Sequence, residues 1–450
     1  MIGISNLGLL FAVVTSVLFW GAVLLVVIRV CKRAAGFDDV RLIKIPSPWP
    51  VIGKFISDIA SEKKGPNIII KIIIFGVFIR AIMLLLAYMF MHIRGLEPTL
   101  ISVFHSFNRW DAPHYLNLAE IGYSLSENGR HIFVVFFPLY PWLIRLVNVA
   151  VGNYLTSAYI VSFVSYLVGL CYLYHLVRLD FSESTAWWAV ILISIFPHSF
   201  FFGAPHTESL FILTTTATLY YIRRHKWLAA GIAGAFASAT RMVGVALVAA
   251  AAVEFVMTYN LFTLMKKDKW KEFFALVCKK GLFILIMFVG TIVYLFINWR
   301  INDDPFGFMF YQNYNWNNGY LYFGAAMRMQ FHTILGMLPL MGGVISQNSM
   351  FYVAIPNILG FGFTIWMIAY GSLKRHNAAF IVYVLGYTFV SFSMAWLLSG
   401  GRYAAAIVPI FIFLADYVDK KPHRRVVVPL VFIVLLLPVL RMYVLGGFVM

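Results

Sequence analysis

The sequence predicts an all-α protein that crosses a membrane many times, and three observations support this prediction. Hydrophobic residues make up 62% of the 450 residues, and the mean hydropathy is +0.84, far above the range of soluble domains. Several apolar runs exceed the roughly 18 residues that a helix needs to cross a hydrocarbon core about 30 Å thick. These runs lack the two-residue alternation of a β-barrel, so each span is expected to be a helix that satisfies its own backbone hydrogen bonds.

The net charge of +17 is concentrated in short loops between the apolar runs. This distribution is typical of cytoplasmic loops, where each Lys or Arg gains about 1 kcal/mol near an anionic leaflet. A nucleic-acid partner is therefore not needed to explain the charge. Cys31, Cys171 and Cys278 lie far apart and match no CxxC or zinc spacing, so neither a disulfide framework nor a metal site is predicted.

Basic flanks alternate with less basic ones along the chain and predict about 11–12 transmembrane helices. No basic residue precedes Arg29, which favours an uncleaved first span with its N-terminus outside. Residues 1–67 are interpreted as that span plus a basic cytoplasmic loop, and residues 68–450 as one transmembrane domain with external loops at about 94–131 and 300–330. The predicted spans cover approximately residues 1–30, 68–93, 154–177, 186–202, 207–222, 282–299, 352–370, 378–398, 404–418 and 426–446.

Three other apolar segments are not predicted to cross as single helices. Segment 133–149 holds two prolines and Arg145, and the count of crossings requires it to dip into the outer leaflet. Segment 227–258 has basic residues at both flanks, so one straight helix would place one flank outside at an electrostatic cost. A hairpin of two short helices with Arg241-Met242-Val243-Gly244 at its tip avoids that cost and puts Arg241 near the outer face. Segment 331–345 is expected to pack as a partial span.

The first external loop carries the polar cluster Arg109, Asp111, His114 and Glu120 in a chain where only 12% of residues are charged. Carboxylates at a membrane edge are costly unless they are used or paired. Asp111 beside Trp110, an aromatic suited to stacking on a sugar, fits a general base that deprotonates a hydroxyl. An ion pair with Arg109, or a helix N-cap ahead of a proline, explains Asp111 equally well.

His206-Thr207-Glu208 begins another span at the outer side. In a functional interpretation, His206 and Glu208 face the same cavity as Asp111, and Glu208 orients an acceptor. In a structural interpretation, Thr207 caps the helix and Glu208 complements its dipole. No second carboxylate at a fixed spacing supports a metal.

Arg241 and Arg402 each lie at an outer turn beside a glycine, where a guanidinium can hold a phosphate with two hydrogen bonds. Snorkelling to a lipid headgroup is the alternative. In the second external loop, Gln312 and Trp316 could line a sugar pocket, although ordinary interfacial anchoring explains this composition almost as well. Arg80, inside the second span, has no evident partner.

With these residues assembled, the chain resembles the PIG-V family of mannosyltransferases (GPI mannosyltransferase 2-like) and its prokaryotic relatives, which have the GT-C glycosyltransferase architecture. The motifs that carry this resemblance occur in the family's order and are Trp110-Asp111-Ala112-Pro113-His114-Tyr115 with Ala119-Glu120-Ile121-Gly122-Tyr123, Phe136-Phe137-Pro138-Leu139-Tyr140-Pro141, Pro197-His198-Ser199-Phe200-Phe201, His206-Thr207-Glu208-Ser209-Leu210-Phe211, Thr240-Arg241-Met242-Val243-Gly244 and Gly401-Arg402-Tyr403.

The resemblance implies transfer of a sugar, typically mannose, from a polyprenyl-phosphate carrier to a lipid-linked or glycan acceptor at the non-cytoplasmic face. The transfer would invert the anomeric carbon, need no cofactor, and use Asp111 as the catalytic base. The expected substrate-binding residues are Arg109, Trp110, His114, Tyr115, Glu120, His206, Glu208, Arg241, Gln312, Trp316, Arg402 and Tyr403.

Two other classes of protein fit the sequence less well. A lipid or small-solute transporter would place paired charges at mid-membrane and show related halves with interrupted helices, whereas here the charges collect at one face and no repeat is visible. A structural assembly subunit would leave the external charge cluster unexplained. The chain has no N-x-S/T sequon, which favours a prokaryotic cell membrane over the endoplasmic reticulum membrane of a eukaryote.

Overall fold

The predicted all-α class is confirmed by the structure, a computed structural model that describes residues 2–35, 65–124, 131–316, 319–334, 350–395, 397–447 and 449. Within these residues the β-structure amounts to one isolated bridge between Tyr320 and Met394. The α-helices are α1 Ile2–Ala34, α2 Gly65–Ile93, α3 Leu100–Ser106, α4 Asp111–Ile121, α5 Leu139–Val151, α6 Tyr154–Arg178, α7 Glu183–Ile195, α8 Glu208–Arg223, α9 Trp227–Thr240, α10 Ala246–Thr258, α11 Leu261–Lys266, α12 Trp270–Leu276, α13 Leu282–Leu285, α14 Val289–Asn302, α15 Gly307–Trp316, α16 Phe323–Ile334, α17 Ile355–Leu373, α18 Ala378–Phe392, α19 Gly400–Ala405, α20 Val408–Asp419 and α21 Arg424–Val444. Short 3₁₀ and π segments join some of them, at Ile132–Val135, Ser199–Gly203, Met242–Val245, Val277–Gly281, Ile286–Phe288 and Met350–Ala354.

The sequence predicts about 11–12 spans, and the structure describes eleven apolar helical segments, of which fewer are long enough to cross a membrane. Six are long enough to cross it, namely Asn6–Ala34, Asn67–Ile93, Tyr154–Arg178, Trp270–Asn302, Phe351–Leu373 and Arg424–Val444. Five are shorter, namely Leu139–Val151, Glu183–Ile195, Trp227–Thr240, Met242–Thr258 and Ala378–Phe392. The chain is therefore a multi-pass integral membrane protein.

The long helices differ in how much of their apolar surface the protein itself covers. In α1, α2 and α21 only 22–28% of the most apolar window is buried, whereas α6 is 61% buried. Exposed Leu, Ile and Val side chains on that scale suit lipid and are rare in contact with water. Helices α1, α2 and α21 therefore belong to the lipid-facing perimeter. Helix α6 belongs to the interior, where it packs against α8.

The predicted hairpin in residues 227–258 is confirmed. Helix α9 ends before Arg241, whose backbone is extended (φ −154°), and a 3₁₀ turn then leads into α10. The tip packs closely on α9, because a Cβ added to Gly244 would lie 2.5 Å from the backbone carbon of Ala237. Helix α9 is about 21 Å long at 1.5 Å per residue, which is too short to cross the hydrocarbon core.

The two segments interpreted as external loops are partly helical. Segment 94–131 contains α3 and α4, and segment 300–330 contains α15 and most of α16. Buried apolar residues such as Phe308, Phe323 and Met327 explain why these segments pack as helices despite their polar composition. The basic loop at 36–64 and residues 335–345 of the expected partial span lie outside the described residues.

Candidate active site

Asp111 is the first residue of α4, and its carboxylate pairs with a residue distant in sequence. Its Oδ2 accepts a hydrogen bond from Nη1 of Arg402 at 2.7 Å, and 32% of its side chain is exposed. Both alternatives considered from the sequence are wrong, because the ion pair is not with Arg109 and the N-cap position belongs to Trp110. Trp110 has a φ of +59°, a conformation that costs a bulky residue about 1–3 kcal/mol and is often found at functional sites.

Glu208, the first residue of α8, is fully buried and joins the two arginines. Its Oε1 accepts a hydrogen bond from Nε of Arg402 and another from Nη1 of Arg241 at 2.7 Å. The ion pairs therefore run from Asp111 through Arg402 and Glu208 to Arg241. We call these four residues the charged cluster.

Residues from four elements build the charged cluster at one end of the helix bundle, and three of them stand at helix ends. Asp111 and Glu208 begin α4 and α8, Arg241 follows the last residue of α9, and Arg402 lies in α19. Helix N-termini favour carboxylates, because the first backbone N–H groups there are unpaired. The formal charges of the four side chains cancel, and this balance is needed where desolvation makes an unpaired charge expensive.

Two polar groups beside the charged cluster have no hydrogen-bond partner among the described residues. They are Oε2 of Glu208 and both ring nitrogens of His206, and both side chains are fully buried. Buried polar atoms are almost always hydrogen-bonded in folded proteins. Unused capacity of this kind in a charged pocket is what a polar substrate would satisfy.

Electrostatics set the protonation states of Asp111 and His206. Burial tends to raise the pKa of Asp111, but the guanidinium of Arg402 outweighs it and holds the pKa below its usual value. Burial, assisted by the positive charge of Arg402, lowers the pKa of His206 to about 4. At neutral pH the site therefore presents an ionised carboxylate and a neutral imidazole that can both donate and accept a hydrogen bond.

Aromatic rings line the guanidinium groups of both arginines. The Cζ atom of Arg402 lies 5.0 Å from the ring centroid of Phe201, and that of Arg241 lies 5.7 Å from Tyr403 and 5.8 Å from Phe211. A desolvated guanidinium over an aromatic face gains up to about 2 kcal/mol. These rings limit the directions in which the arginines can move.

His114 and Tyr115 lie on α4 close to the charged cluster. The ring of His114 packs 5.3 Å from that of Phe136, and burial lowers the pKa of its imidazole. Tyr115 is buried with its ring edge-on to Phe136 and Tyr140, and burial raises the pKa of its phenol. His114 follows Asp111 by three residues and therefore shares its face of the helix.

Arg109 and Glu120 lie outside the charged cluster. Arg109 donates hydrogen bonds to the carbonyls of Ser106 and Val444, at 2.9 and 3.3 Å, and so ties the start of α4 to α21. Glu120 is exposed and lies nine residues after Asp111, about 13 Å along the helix axis.

Gln312 lines a separate cavity of about 250 Å³, together with Asn313, Tyr320 and Met242, the neighbour of Arg241. The side chain of Trp316 lies outside the described residues. Gln312 is therefore next to the hairpin tip but apart from the ion pairs.

The sequence reasoning did not assign a role to the turn Ser199–Gly203 and the residue before it. Phe201 lies beneath Arg402, and His198 fits under Gly401, where a Cβ would come within 2.2 Å of the ring carbon Cε1. The motif Pro197-His198-Ser199-Phe200-Phe201 contributed to the family resemblance. The presence of that motif was the available sign that this segment lies near the site.

A larger apolar cavity of about 590 Å³ borders this turn. Its walls come from α2, α3, α6 and the turn itself, including Met83, Phe104, Tyr159, Phe200 and Gly203. Among the residues that the structure describes, no group of three or more His, Cys, Asp or Glu could hold a metal ion.

The fold and this site define a multi-pass helical membrane protein with a charge-balanced pocket at one end of its bundle. A sequence model of the family described as dolichyl-phosphate-mannose-protein mannosyltransferase matches residues 137–294, about a third of the chain. The matched segment contains Glu208 and Arg241 but neither Asp111 nor Arg402. A search of curated proteins finds no match.

Two solved structures are similar over most of the chain. One is ArnT from Cupriavidus metallidurans bound to undecaprenyl phosphate, with 15% identity, a TM-score of 0.44, and coverage of 82% of this chain and 74% of that one. The other is the oligosaccharyltransferase of Archaeoglobus fulgidus in the apo form, with 11% identity, a TM-score of 0.43, and coverage of 83% and 56%. The aligned region thus spans only about half of the oligosaccharyltransferase.

Proposed function

We propose that the chain is an inverting glycosyltransferase that moves a sugar, most simply mannose, from a polyprenyl-phosphate carrier to a hydroxyl of a lipid-linked or glycan acceptor. One observation carries the proposal: a partly exposed carboxylate, Asp111, is linked through Arg402 and Glu208 to a second arginine, Arg241. A carboxylate base beside two guanidinium groups suits attack by a hydroxyl on a sugar whose leaving group is a phosphate. The match to a mannosyltransferase family supports the choice of mannose as the transferred sugar. The resemblance to the PIG-V family of mannosyltransferases supports the same choice.

In the proposed reaction, the acceptor oxygen attacks the anomeric carbon from the face opposite the phosphate. Asp111 takes the hydroxyl proton as the new glycosidic bond forms. The bond between the anomeric carbon and the phosphate oxygen breaks, its electron pair stays on the phosphate, and Arg241 and Arg402 stabilise that charge. Glu208 does not react; it holds the two guanidinium groups side by side.

The ion pair between Asp111 and Arg402 also suggests how binding of the donor activates the base. With Arg402 bound to it, Asp111 is a weaker base than an isolated carboxylate. A donor phosphate that takes over the guanidinium removes this stabilisation, so the carboxylate becomes more basic once the donor is in place.

The two cavities offer room for the other parts of the substrates. The apolar cavity shares Phe200 and Gly203 with the turn beneath Arg402, so an isoprenoid chain there would be near the phosphate site. The smaller cavity contains Gln312 and Asn313 beside the hairpin tip, and its amide groups suit sugar hydroxyls. We place this site at the non-cytoplasmic face of a cell membrane, or of the endoplasmic reticulum if the protein is eukaryotic, because the basic flanks lie at the opposite ends of the spans.

Reconstituted vesicles supplied with polyprenyl-phosphate mannose and a glycolipid extract test this proposal. Asp111→Asn keeps the shape of the side chain and removes the base, so we expect transfer to fall by roughly 10²- to 10⁴-fold. Glu97→Gln, which neutralises an exposed carboxylate in the same loop, serves as the matched control and should transfer normally. Full transfer by Asp111→Asn would refute the catalytic assignment, and passage of a solute without any sugar transfer would favour a transporter.

A further inference from the structure

Arg80 lies inside the membrane span α2 and is 6% exposed. Among the described residues no carboxylate pairs with it. Its Nη1 donates to the carbonyl of Ser199 at 2.6 Å, and its Nη2 donates to the carbonyl of Ser194 at 3.0 Å. The guanidinium also lies 4.5 Å from the ring centroid of Tyr166. A buried arginine in a membrane span is costly, so these contacts call for a functional explanation.

The two carbonyls that Arg80 binds lie on either side of the break between a helix and a turn. Helix α7 ends at Ile195, and the 3₁₀ turn Ser199–Gly203 follows. The last carbonyls of a helix have no partner within it, and a buried helix end needs donors from elsewhere. One amino group of the planar guanidinium meets that need at Ser194, and the other binds the carbonyl of Ser199, the first residue of the turn. Arg80 thereby fixes the end of α7 relative to the turn.

This turn and the residue before it pack against the charged cluster and its neighbours. The ring of Phe201 lies 5.0 Å from Cζ of Arg402 and 5.1 Å from the ring of His206. His198, the residue before the turn, packs directly against Gly401, the neighbour of Arg402. A displacement of the turn would therefore shift Arg402 and His206, which are the groups closest to the proposed phosphate and acceptor.

We propose that Arg80 is a positioning residue for the charged cluster: by bridging the carbonyls of Ser194 and Ser199, it holds the turn Ser199–Gly203 at the level where Phe201 supports Arg402. Its effect on catalysis rests on the proposed glycosyltransferase function, whereas its effect on the turn does not. Arg80 does not touch the substrates' reacting atoms, so its loss should reduce turnover more than donor binding.

The chain supplies a matched control for this proposal. Arg29 in α1 also donates to two consecutive backbone carbonyls, those of Arg375 and His376, in the loop before α18. The charged cluster lies near the other half of α18, where Tyr387 packs on Phe211, the ring beside Arg241. Arg29→Lys and Arg80→Lys therefore make the same chemical change, but only the second lies next to the site.

The first measurement is hydrogen–deuterium exchange of the full-length protein in nanodiscs, which does not depend on any activity. Arg80→Lys keeps the charge but replaces the rigid fork by a single ammonium, so we expect amides of residues 199–203 to exchange roughly tenfold faster. Arg29→Lys should leave this segment unchanged. Unchanged exchange of the turn in Arg80→Lys would overturn the proposal.

The second measurement is the kinetics of sugar transfer. We expect kcat of Arg80→Lys to fall by about 10- to 100-fold, since a shift near 1 Å is enough for such a loss, with KM for the donor within about twofold. A raised KM with unchanged kcat would mean that Arg80 binds the donor, and would also overturn the positioning role. If wild-type protein shows no transfer while the exchange results hold, the proposed function fails and the structural role of Arg80 stands.

Gly203→Ala keeps the test decisive if Arg80→Lys does not fold, and Arg80→Ala adds a chemical rescue. Gly203→Ala places a Cβ 3.1 Å from Cδ of Arg80 and should push the arginine and lower kcat in the same direction, without altering any charge. Arg80→Ala opens space next to the apolar cavity that Arg80 lines, so added ethylguanidine should restore part of the turnover. A normal kcat in Gly203→Ala together with no rescue of Arg80→Ala would count against the proposal.

Discussion

Neutralising Glu208 is the change that should expose the charge balance of the cluster most directly. The side chain is fully buried, and its Oε1 binds both Arg241 and Arg402. Glu208→Gln keeps the size but leaves one uncompensated positive charge in the site. Removing one partner of a buried ion pair typically costs about 3–5 kcal/mol of unfolding free energy, and we expect a loss in this range.

A second substitution tests whether the cost comes from charge imbalance or from lost packing. Arg241→Met alone leaves an uncompensated negative charge, although its 16% exposure lets water relieve part of the cost. The double variant Glu208→Gln with Arg241→Met is neutral again. The loss in the double variant should therefore be smaller than the sum of the two single losses by roughly 1–3 kcal/mol.

The assay is unfolding of the purified protein in mixed micelles by SDS titration, followed by tryptophan fluorescence. Lys269 and Glu272 form an exposed pair at 2.8 Å, and a cycle on Lys269→Met with Glu272→Gln is the control, with an expected coupling below about 1 kcal/mol. Additive losses at Glu208 and Arg241, within about 0.5 kcal/mol, would show that the cluster is not held together by charge balance.

Two further predictions concern His206 and the support beneath Arg402. The folded protein lowers the pKa of His206 to about 4, so between about pH 6.5 and 4 the unfolded chain binds a proton that the folded chain does not. His206 therefore destabilises the fold as pH falls, by up to about 1.4 kcal/mol per pH unit. The difference in unfolding free energy between wild type and His206→Gln should change with pH at that slope. Gly401→Ala would push a Cβ to 2.2 Å from His198 and should abolish transfer and lower stability, whereas Gly21→Ala, with nothing within 4 Å, should be neutral or slightly stabilising. A wild-type-like Gly401→Ala, or identical pH dependence in His206→Gln, would contradict these expectations.

The helical fold could be predicted from the sequence because membrane constraints are local. The length of an apolar run and the charge at its flanks decide whether it crosses, and neither depends on distant contacts. The hairpin at 227–258 is the clearest case, since two basic flanks and an Arg-Met-Val-Gly tip predicted the break that the structure shows between α9 and α10. The structure of residues 300–330 was harder to predict, because their polar and aromatic composition does not distinguish a loop from short helices packed on one face.

The partners of the charged residues could not be predicted in the same way. Asp111 has Arg109 as a near neighbour in sequence, yet its partner is Arg402, 291 positions away. The sequence contains no periodicity that links these two positions. Arg80 was the opposite case. Its position inside a span was evident from the sequence, but its partners are backbone carbonyls, which any residue type supplies and which therefore leave no signal in a sequence.

The equal number of acidic and basic residues in the charged cluster is nevertheless a feature that the sequence contains. Asp111 and Glu208 begin helices, Arg241 follows one, and Arg402 lies in the short helix α19. Two of these residues are acidic and two are basic. A buried cluster of four charges is stable only if it is close to neutral, so once helix topology puts these residues at the same end of the bundle, mutual pairing is the arrangement with the lowest desolvation cost. A donor phosphodiester that takes over Arg402 adds one negative charge to the cluster, and cleavage of its bond to the sugar leaves a second charge on the phosphate. The acceptor's hydroxyl proton, delivered to Asp111 during transfer, offsets that second charge. The electrostatics of the cluster thus favour binding of the donor followed by proton abstraction from the acceptor, in that order.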